Sequence, residues 1–235
     1  MDKKKNFDLC IKAFRAAEKH EECLKYADGH LKVLKNVGVT QVTSAKLEWI
    51  DNPNVYVISV ENKVDGKILG GARVHVKDSS HRLPIEDAVY ELDESIFDRV
   101  LKDSIDGGTG ELCGLWNSRE VAGLGLGSMY LTRAGVAITS QLCLKSLYGL
   151  AASYTVKMSQ KVGYEIITSL GKNGTFYYPK TDFLAYAIKI FDPETLSKAE
   201  KEDRDYIFEL RNNLTQTRIE DGRMGKLCIN FELKI

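Results

Sequence analysis

Proline is scarce in this chain, with only 4 among 235 residues, and no tract rich in proline and serine interrupts it. No linker is therefore expected, and the length suits one elaborated α/β domain with additions. Charge of one sign is also missing: Lys+Arg and Asp+Glu both total 33. That balance leaves no electrostatic footprint for a phosphate backbone, so nucleic acid is not the expected partner. No apolar run reaches the roughly 18 residues of a membrane span. The opening Met-Asp-Lys-Lys-Lys-Asn is not followed by an apolar segment of signal-peptide length. The five cysteines (Cys10, Cys23, Cys113, Cys143, Cys228) show neither C-x-x-C nor Cys/His ligand spacing, which argues against a disulfide scaffold or a zinc site. Reduced thiols, a cytoplasmic home, no membrane partner and no bound metal are the expectations.

Periodicity supplies the elements that are present. Phe7 to Ala16 reads as a strand and Glu18 to Asn36 as a helix, with Cys23, Tyr26, Ala27, His30, Leu31 and Leu34 at helical spacing and Gly38 as a stop. Residues 55–61 and 68–76 flank Asp65-Gly66 as a hairpin of two long strands. Residues 78–109 read as a polar, irregular insert with a short helix over 92–101. Strands are predicted over 111–117, 146–151 and 183–190, and helices over 127–144 and 154–162. Residues 192–213 read as charged surface helix. Leu227, Ile229, Phe231, Leu233 and Ile235 alternate with polar residues, the pattern of a half-buried terminal strand.

The most informative stretch is Gly110 to Ser128, which reads as strand, loop, glycine nest and helix start. Gly123, Gly125 and Gly127 let backbone N–H groups converge where a helix begins, a site suited to a phosphate-bearing ligand. A Walker A loop would end in Gly-Lys-Ser/Thr, whereas this chain has Gly127-Ser128-Met129. A Rossmann fingerprint would follow its strand directly, whereas Asn117 to Ala122 intervene here.

Ala122-Gly-Leu-Gly-Leu-Gly127 resembles the glycine motif of the GNAT superfamily of acyl-CoA-dependent N-acyltransferases. Upstream, Glu111-Leu-Cys-Gly-Leu-Trp-Asn117 is similar to that family's splayed fourth strand, and downstream Lys161-Val-Gly-Tyr-Glu165 is similar to its Gly-Phe signature. The resemblance implies a mixed, mostly antiparallel central sheet flanked by helices, occupying residues 1–192, with an added C-terminal helix and strand in 193–235 on the same domain. It also implies acetyl-CoA or another acyl-CoA as cofactor and a small-molecule amine or amino-acid-like acceptor, with a homodimer left open.

By the same resemblance, the cofactor lies against Leu115, Trp116 and Asn117 and on Gly123, Leu124, Gly125, Leu126, Gly127 and Ser128. Glu111 falls where some members carry a glutamate base, and alternation puts it on one face with Cys113, Leu115 and Asn117, with Trp116 pointing the other way. A strand-end carboxylate in an ion pair is the competing reading of Glu111. Ser159 stands where the family places its tyrosine acid, and Tyr154 is the stand-in. Ala122 replaces the arginine that commonly opens the glycine motif, and Ala152 replaces an asparagine. Arg73 and His75 fit sheet-surface roles, contact with an acceptor carboxylate, or a base. Tyr177-Tyr178-Pro179 borders the acceptor pocket or packs a loop. Arg82-Leu-Pro-Ile-Glu86 is similar to synthases that acylate amino acids or make homoserine lactones from acyl carrier protein. A non-catalytic acyl-CoA-binding module is the remaining alternative.

Overall fold

A computed structural model describes residues 7–36, 38, 42–124, 127–222 and 225–235. In chain order the elements are β1 (Phe7–Arg15), α1 (His20–Asn36), β2 (Val55–Asn62), β3 (Ile68–Val76), α2 (Pro84–Val89) and α3 (Ser95–Ile105). They continue with β4 (Thr109–Asn117), α4 (Arg119–Leu124), α5 (Ser128–Ile138), β5 (Ser146–Ala152), α6 (Val156–Lys161), β6 (Glu165–Ile166) and β7 (Thr175–Tyr177). The chain closes with β8 (Leu184–Ile190), α7 (Lys201–Asn212), β9 (Thr215–Gly222) and β10 (Gly225–Glu232).

The strands form a single sheet in the order β6-β8-β5-β4-β3-β2-β1-β10-β9, with β7 also on β8. Pairing is antiparallel except for β1 with β10 and β4 with β5. Strands β2 and β3 form the predicted hairpin, whereas α1 lies between β1 and β2 and helices α2 and α3 lie between β3 and β4. The terminal strand joins the chain's own sheet: β10 lies parallel to β1, and Leu227, Ile229, Phe231 and Leu233 are all buried on its inner face.

Helices α5 and α7 cover one face of the sheet, packing Leu131, Ala134, Ile138, Ile207 and Leu210 against Leu112, Val74, Ile58 and Ile229. Arg133 and Asp203 pair between these two helices at 2.7 Å, both nearly buried. Helix α1 covers the other face, with Tyr26 and Cys23 packed among Trp49, Val57 and Trp116. Helices α2 and α3 continue that layer over β5 and β8 through Ile85, Val89, Ile96, Val100 and Tyr148.

The sheet differs from the sequence expectation in three places. The insert 78–109 is not irregular, for Leu83, Ile85, Ala88 and Val89 bury completely or nearly so around the six-residue α2. Pro84 supplies a preset φ at its first turn, and the Leu83 N–H donates to the Glu86 carboxylate at 2.6 Å. Residues 119–124, expected as loop, form α4. An extra edge strand, β9, pairs with β10 and was hidden because its inward side chains are Gln216, Arg218 and Glu220. Those groups bond to one another and to α7, where Arg218 bridges Glu209 and Glu220 and lies 4.0 Å over the Tyr206 ring.

Candidate functional site

Strands β4 and β5 pair in parallel only at Thr109↔Ser146, Gly110↔Leu147 and Glu111↔Tyr148. Beyond that point no pairing between them is found among the described residues, while β4 runs on to Asn117 along β3 and β5 runs on to Ala152 along β8. The sheet therefore splits into a wedge. A cavity of about 250 Å³ fills it, lined from one side by Glu111 to Leu115 and from the other by Gly149 to Ala152. His30, Leu34, Pro84, Phe183, Ala185 and Ile188 extend the lining into an apolar depth. Two diverging strands expose backbone donors and acceptors that a ligand with spaced amides can pair with, as an added strand does.

A bulge in β4 sets which side chains face this wedge. Cys113 pairs with Arg73 and Trp116 with Gly71, so Gly114 and Leu115 together oppose Ala72. Gly114 adopts φ +58°, and the Tyr26 hydroxyl donates to its carbonyl. A residue inserted without a partner reverses the alternation, which corrects the expected face assignment. Leu115 packs with Leu112 on the α5 side, whereas Trp116 is buried on the α1 side with Tyr26, the side of Arg73 and Cys113. Trp116 thus sits in the core behind the wedge, its ring closely backed by Gly29 of α1.

Glu111 is buried where the wedge opens, and Ile85 N–H donates to its carboxylate at 2.6 Å. Burial pushes its carboxyl up to about 8, against the opposing pull of that N–H and of the Arg73 charge. A carboxyl titrating there exchanges protons near neutrality, the property of a general base or acid. Cys113 is the opposite case: burial pushes its thiol up to about 12, so it stays protonated and inert. Burial also lowers His30, on the α1 wall, to about 3, and the imidazole stays neutral.

Tyr154 and Ser159 line the same cavity as Glu111 and Leu115. Tyr154 is 77% exposed at its rim, and Ser159 is buried with its hydroxyl donating to the Thr155 carbonyl at 3.2 Å. Tyr178 and Pro179 border the cavity as well, and Tyr178 accepts from Thr43 N–H at 2.7 Å. Tyr164, within the Lys161–Glu165 segment, is buried in the cavity wall. Its signal was the aromatic ring after Gly163, which ends α6 at φ +103° and turns the next residue inward.

The glycine segment is only partly described. Gly123 and Leu124 close α4, and Gly125 and Leu126 lie outside the described residues. Gly127 is the extended N-cap of α5, with open space where a Cβ would stand. The Asn117 amide caps that helix: its oxygen accepts from Ser128 N–H at 3.1 Å and its nitrogen donates to the Trp116 carbonyl at 3.2 Å. One of the orphan donors at the helix start is thus held by the chain itself. Among the described residues no group of His, Cys, Asp and Glu is arranged to hold a metal, and no helix is long and apolar enough to cross a membrane.

No protein-family model and no curated protein matches the sequence. Solved structures do match in fold. An N-acyl amino acid synthase, FeeM, from uncultured soil microbes aligns over 83% of this chain and 97% of its own at TM-score 0.61 and 10% identity. A CoA-dependent acyl-homoserine lactone synthase, BjaI, solved with SAM and isopentyl-CoA, aligns over 87% and 90% at TM-score 0.54 and 10% identity. TofI, solved with an inhibitor and MTA, aligns over 83% and 96% at TM-score 0.55 and 12% identity. At these identities the likeness concerns the backbone. With its split sheet and flanking helices, this chain shares the fold of these solved structures.

Proposed function

We propose that the protein is an N-acyltransferase that moves an acyl group from acyl-CoA to an amine by direct attack on the thioester. The observation that carries this reading is the wedge between β4 and β5, a cavity bordered by unpaired strand edges and entered by a buried carboxyl of raised pKa. Pantetheine lies along Leu112 to Leu115 as an added strand. The diphosphate is assigned to the start of α5, where Gly127 offers room and the helix dipole favours an anion.

Glu111 takes the proton from the acceptor amine. The nitrogen lone pair then forms the N–C bond, the C–S bond breaks, and the departing thiolate receives a proton at Tyr154 or Ser159, which face the same cavity. The bulge supplies the electrostatic part. In a trans peptide the N–H points opposite the carbonyl; the Tyr26 hydroxyl holds the Gly114 carbonyl, so the Leu115 N–H is directed away from Tyr26 and serves the developing oxyanion.

The apolar depth formed by Leu34, Leu150, Phe183 and Ile188 favours acyl groups longer than acetyl. A Cβ at Gly149 would meet Ile188, Leu112 and Tyr164 at ordinary distances of 3.4–3.5 Å, and all three line the cavity, so a longer side chain there takes up cavity space. Gly149→Leu is expected to fold normally and to raise the KM for octanoyl-CoA about 10-fold, with a smaller effect on acetyl-CoA. Equal kinetics for both donors in that variant would remove the depth from the acyl site.

Thiol release from acetyl- and octanoyl-CoA across a panel of amines tests the reaction itself. Tight acyl-CoA binding with no release across the panel would favour a non-catalytic module, for which the replacements Ala122, Ala152 and Ser159 speak. Release only from acyl carrier protein, detected by intact mass, would favour the carrier-dependent synthase. All five cysteines are unpaired, in keeping with the cytoplasmic location that belongs to this reading.

A further inference from the structure

The sheet ends differently on its two sides. At one edge stand β6 and β7, of two and three residues, too short to template a further strand. At the other stands β9, eight residues long, which pairs with β10 from Thr215 to Gly222 without a register shift. Sheet edges are ordinarily blunted by proline, lysine, a bulge or shortness. Strand β9 has none of these, and its outer face presents Thr215, Thr217, Ile219 and Asp221, with Ile219 63% exposed. One bond fixes the backbone parity: the Leu233 N–H donates to the Leu214 carbonyl at 2.8 Å, so alternate positions from 214 to 222 face β10. The N–H and carbonyl groups of Thr215, Thr217, Ile219 and Asp221 therefore point off the edge, and they have no backbone partner among the described residues.

We propose that β9 joins a second copy of this chain edge to edge, across a twofold axis that passes through Ile219. A twofold axis normal to the sheet makes the two strands antiparallel, and outward-pointing positions can pair only with one another, so the axis falls on a residue. Axes on Arg218 or on Ile219 overlap the most of the strand, and charge selects between them. On Arg218, that side chain would face its own copy. On Ile219, Arg218 faces the partner's Glu220 and Glu220 faces the partner's Arg218, both as the closer, non-hydrogen-bonded kind of pair. Opposite charges across strands stabilise and like charges destabilise. Both side chains are already held in place: Arg218 donates to Glu209 at 2.5 Å and to Glu220 at 3.0 Å, and Glu220 accepts from the Tyr206 hydroxyl at 3.0 Å. A guanidinium carries five N–H donors, so Arg218 keeps some for a further carboxylate.

The same register serves the outer face and the backbone. Ile219 covers the partner's Ile219, and Thr217, Ile219 and Asp221 of both copies exchange N–H and carbonyl bonds, so the two sheets run on as one. The occupant is a second copy because the strand complements itself: its opposite charges stand at equal distances on either side of Ile219, a symmetry that an unrelated strand does not require. Strands β3, β2, β1 and β10 lie between β9 and β4, so the wedge stays open in the dimer. The inference therefore stands whether or not the acyltransferase reading holds.

Sedimentation equilibrium of the full chain over a range of concentrations tests this. The expected result is a reversible monomer–dimer equilibrium. Ile219→Lys and Ile219→Glu each set a charge against its own copy and are expected to weaken dimerisation about 10-fold, while an equimolar mixture of the two restores it as a heterodimer. Only a position that faces itself gives that rescue. Thr217→Pro removes an N–H that β10 does not use, so the hairpin should fold while dimerisation weakens about 10-fold. A wild type that stays monomeric at every concentration would overturn the inference, as would a dimer that these variants leave intact or a mixture without rescue. Hydrogen exchange on the wild type decides if the variants do not fold. The amides of Thr217, Ile219 and Asp221 should slow as concentration rises through the dimerisation range, and unchanged exchange in a dimer would remove β9 from the interface.

Discussion

Glu111→Gln is expected to lower kcat by about 100- to 10,000-fold, the usual contribution of a positioned base, while acyl-CoA affinity stays unchanged. The amide retains an oxygen for the Ile85 N–H, so the wall around it should hold. In the wild type the rate should climb with pH as the carboxyl loses its proton, reaching half its plateau near about 8. The variant's residual rate should lack that inflection. Stability provides an independent check with a definite sign. The carboxyl's folded value lies above its ordinary 4.5, so its contribution is fully present below pH 4.5 and is lost as pH rises to about 8. Relative to Glu111→Gln, the wild type should therefore weaken across that window and run parallel above it. Urea midpoints measured at acid, neutral and alkaline pH read this directly. A wild-type rate that is flat from neutral to alkaline pH would remove Glu111 from proton transfer.

Gly114→Val should be the most damaging single change at the bulge. Its φ of +58° suits glycine, and a Cβ there would stand 2.6 Å from the Tyr26 hydroxyl and 3.2 Å from Arg73 Nη2. Strain and overpacking together predict a loss of about 3 kcal/mol or more, with activity lost as the Leu115 N–H is displaced. The cause is separable by pairing Gly114→Ala with Tyr26→Phe, which removes the atom that the new Cβ meets. The double variant should lose less than the sum of the two single losses. Strict additivity would mean that the backbone angle, not the Tyr26 contact, dominates.

The bulge also marks where sequence ceased to be a guide. Glu111 to Asn117 is apolar and bounded by turn residues, so a strand was legible there, as were the hairpin, α1 and the strict alternation of Leu227 to Leu233. The side each β4 residue faces was not legible. It depends on one unpaired residue whose backbone angle is held by a hydroxyl 88 positions away, and that contact leaves no periodic trace. Strand β9 escaped for a related reason, since its inner face is satisfied by ion pairs and a stacked tyrosine rather than by apolar burial. Helix α2 escaped because six residues are too few to show a period. Glu111, Leu115, Tyr154 and Ser159 line one cavity because the order of elements brings β4 and the segment around α6 together across the wedge. The burial of Arg73 and His75 was not legible, because apolar neighbours at alternate positions suit either face of a sheet.

In the proposed reaction the wedge between β4 and β5 holds the acyl-CoA. A crystal structure with a non-hydrolysable octanoyl-CoA analogue tests it most directly. Pantetheine is expected along Leu112 to Leu115, the acyl chain among Leu34, Leu150 and Ile188, and the diphosphate at the start of α5. Density for the analogue outside the wedge, with Gly149 to Ala152 untouched, would contradict it.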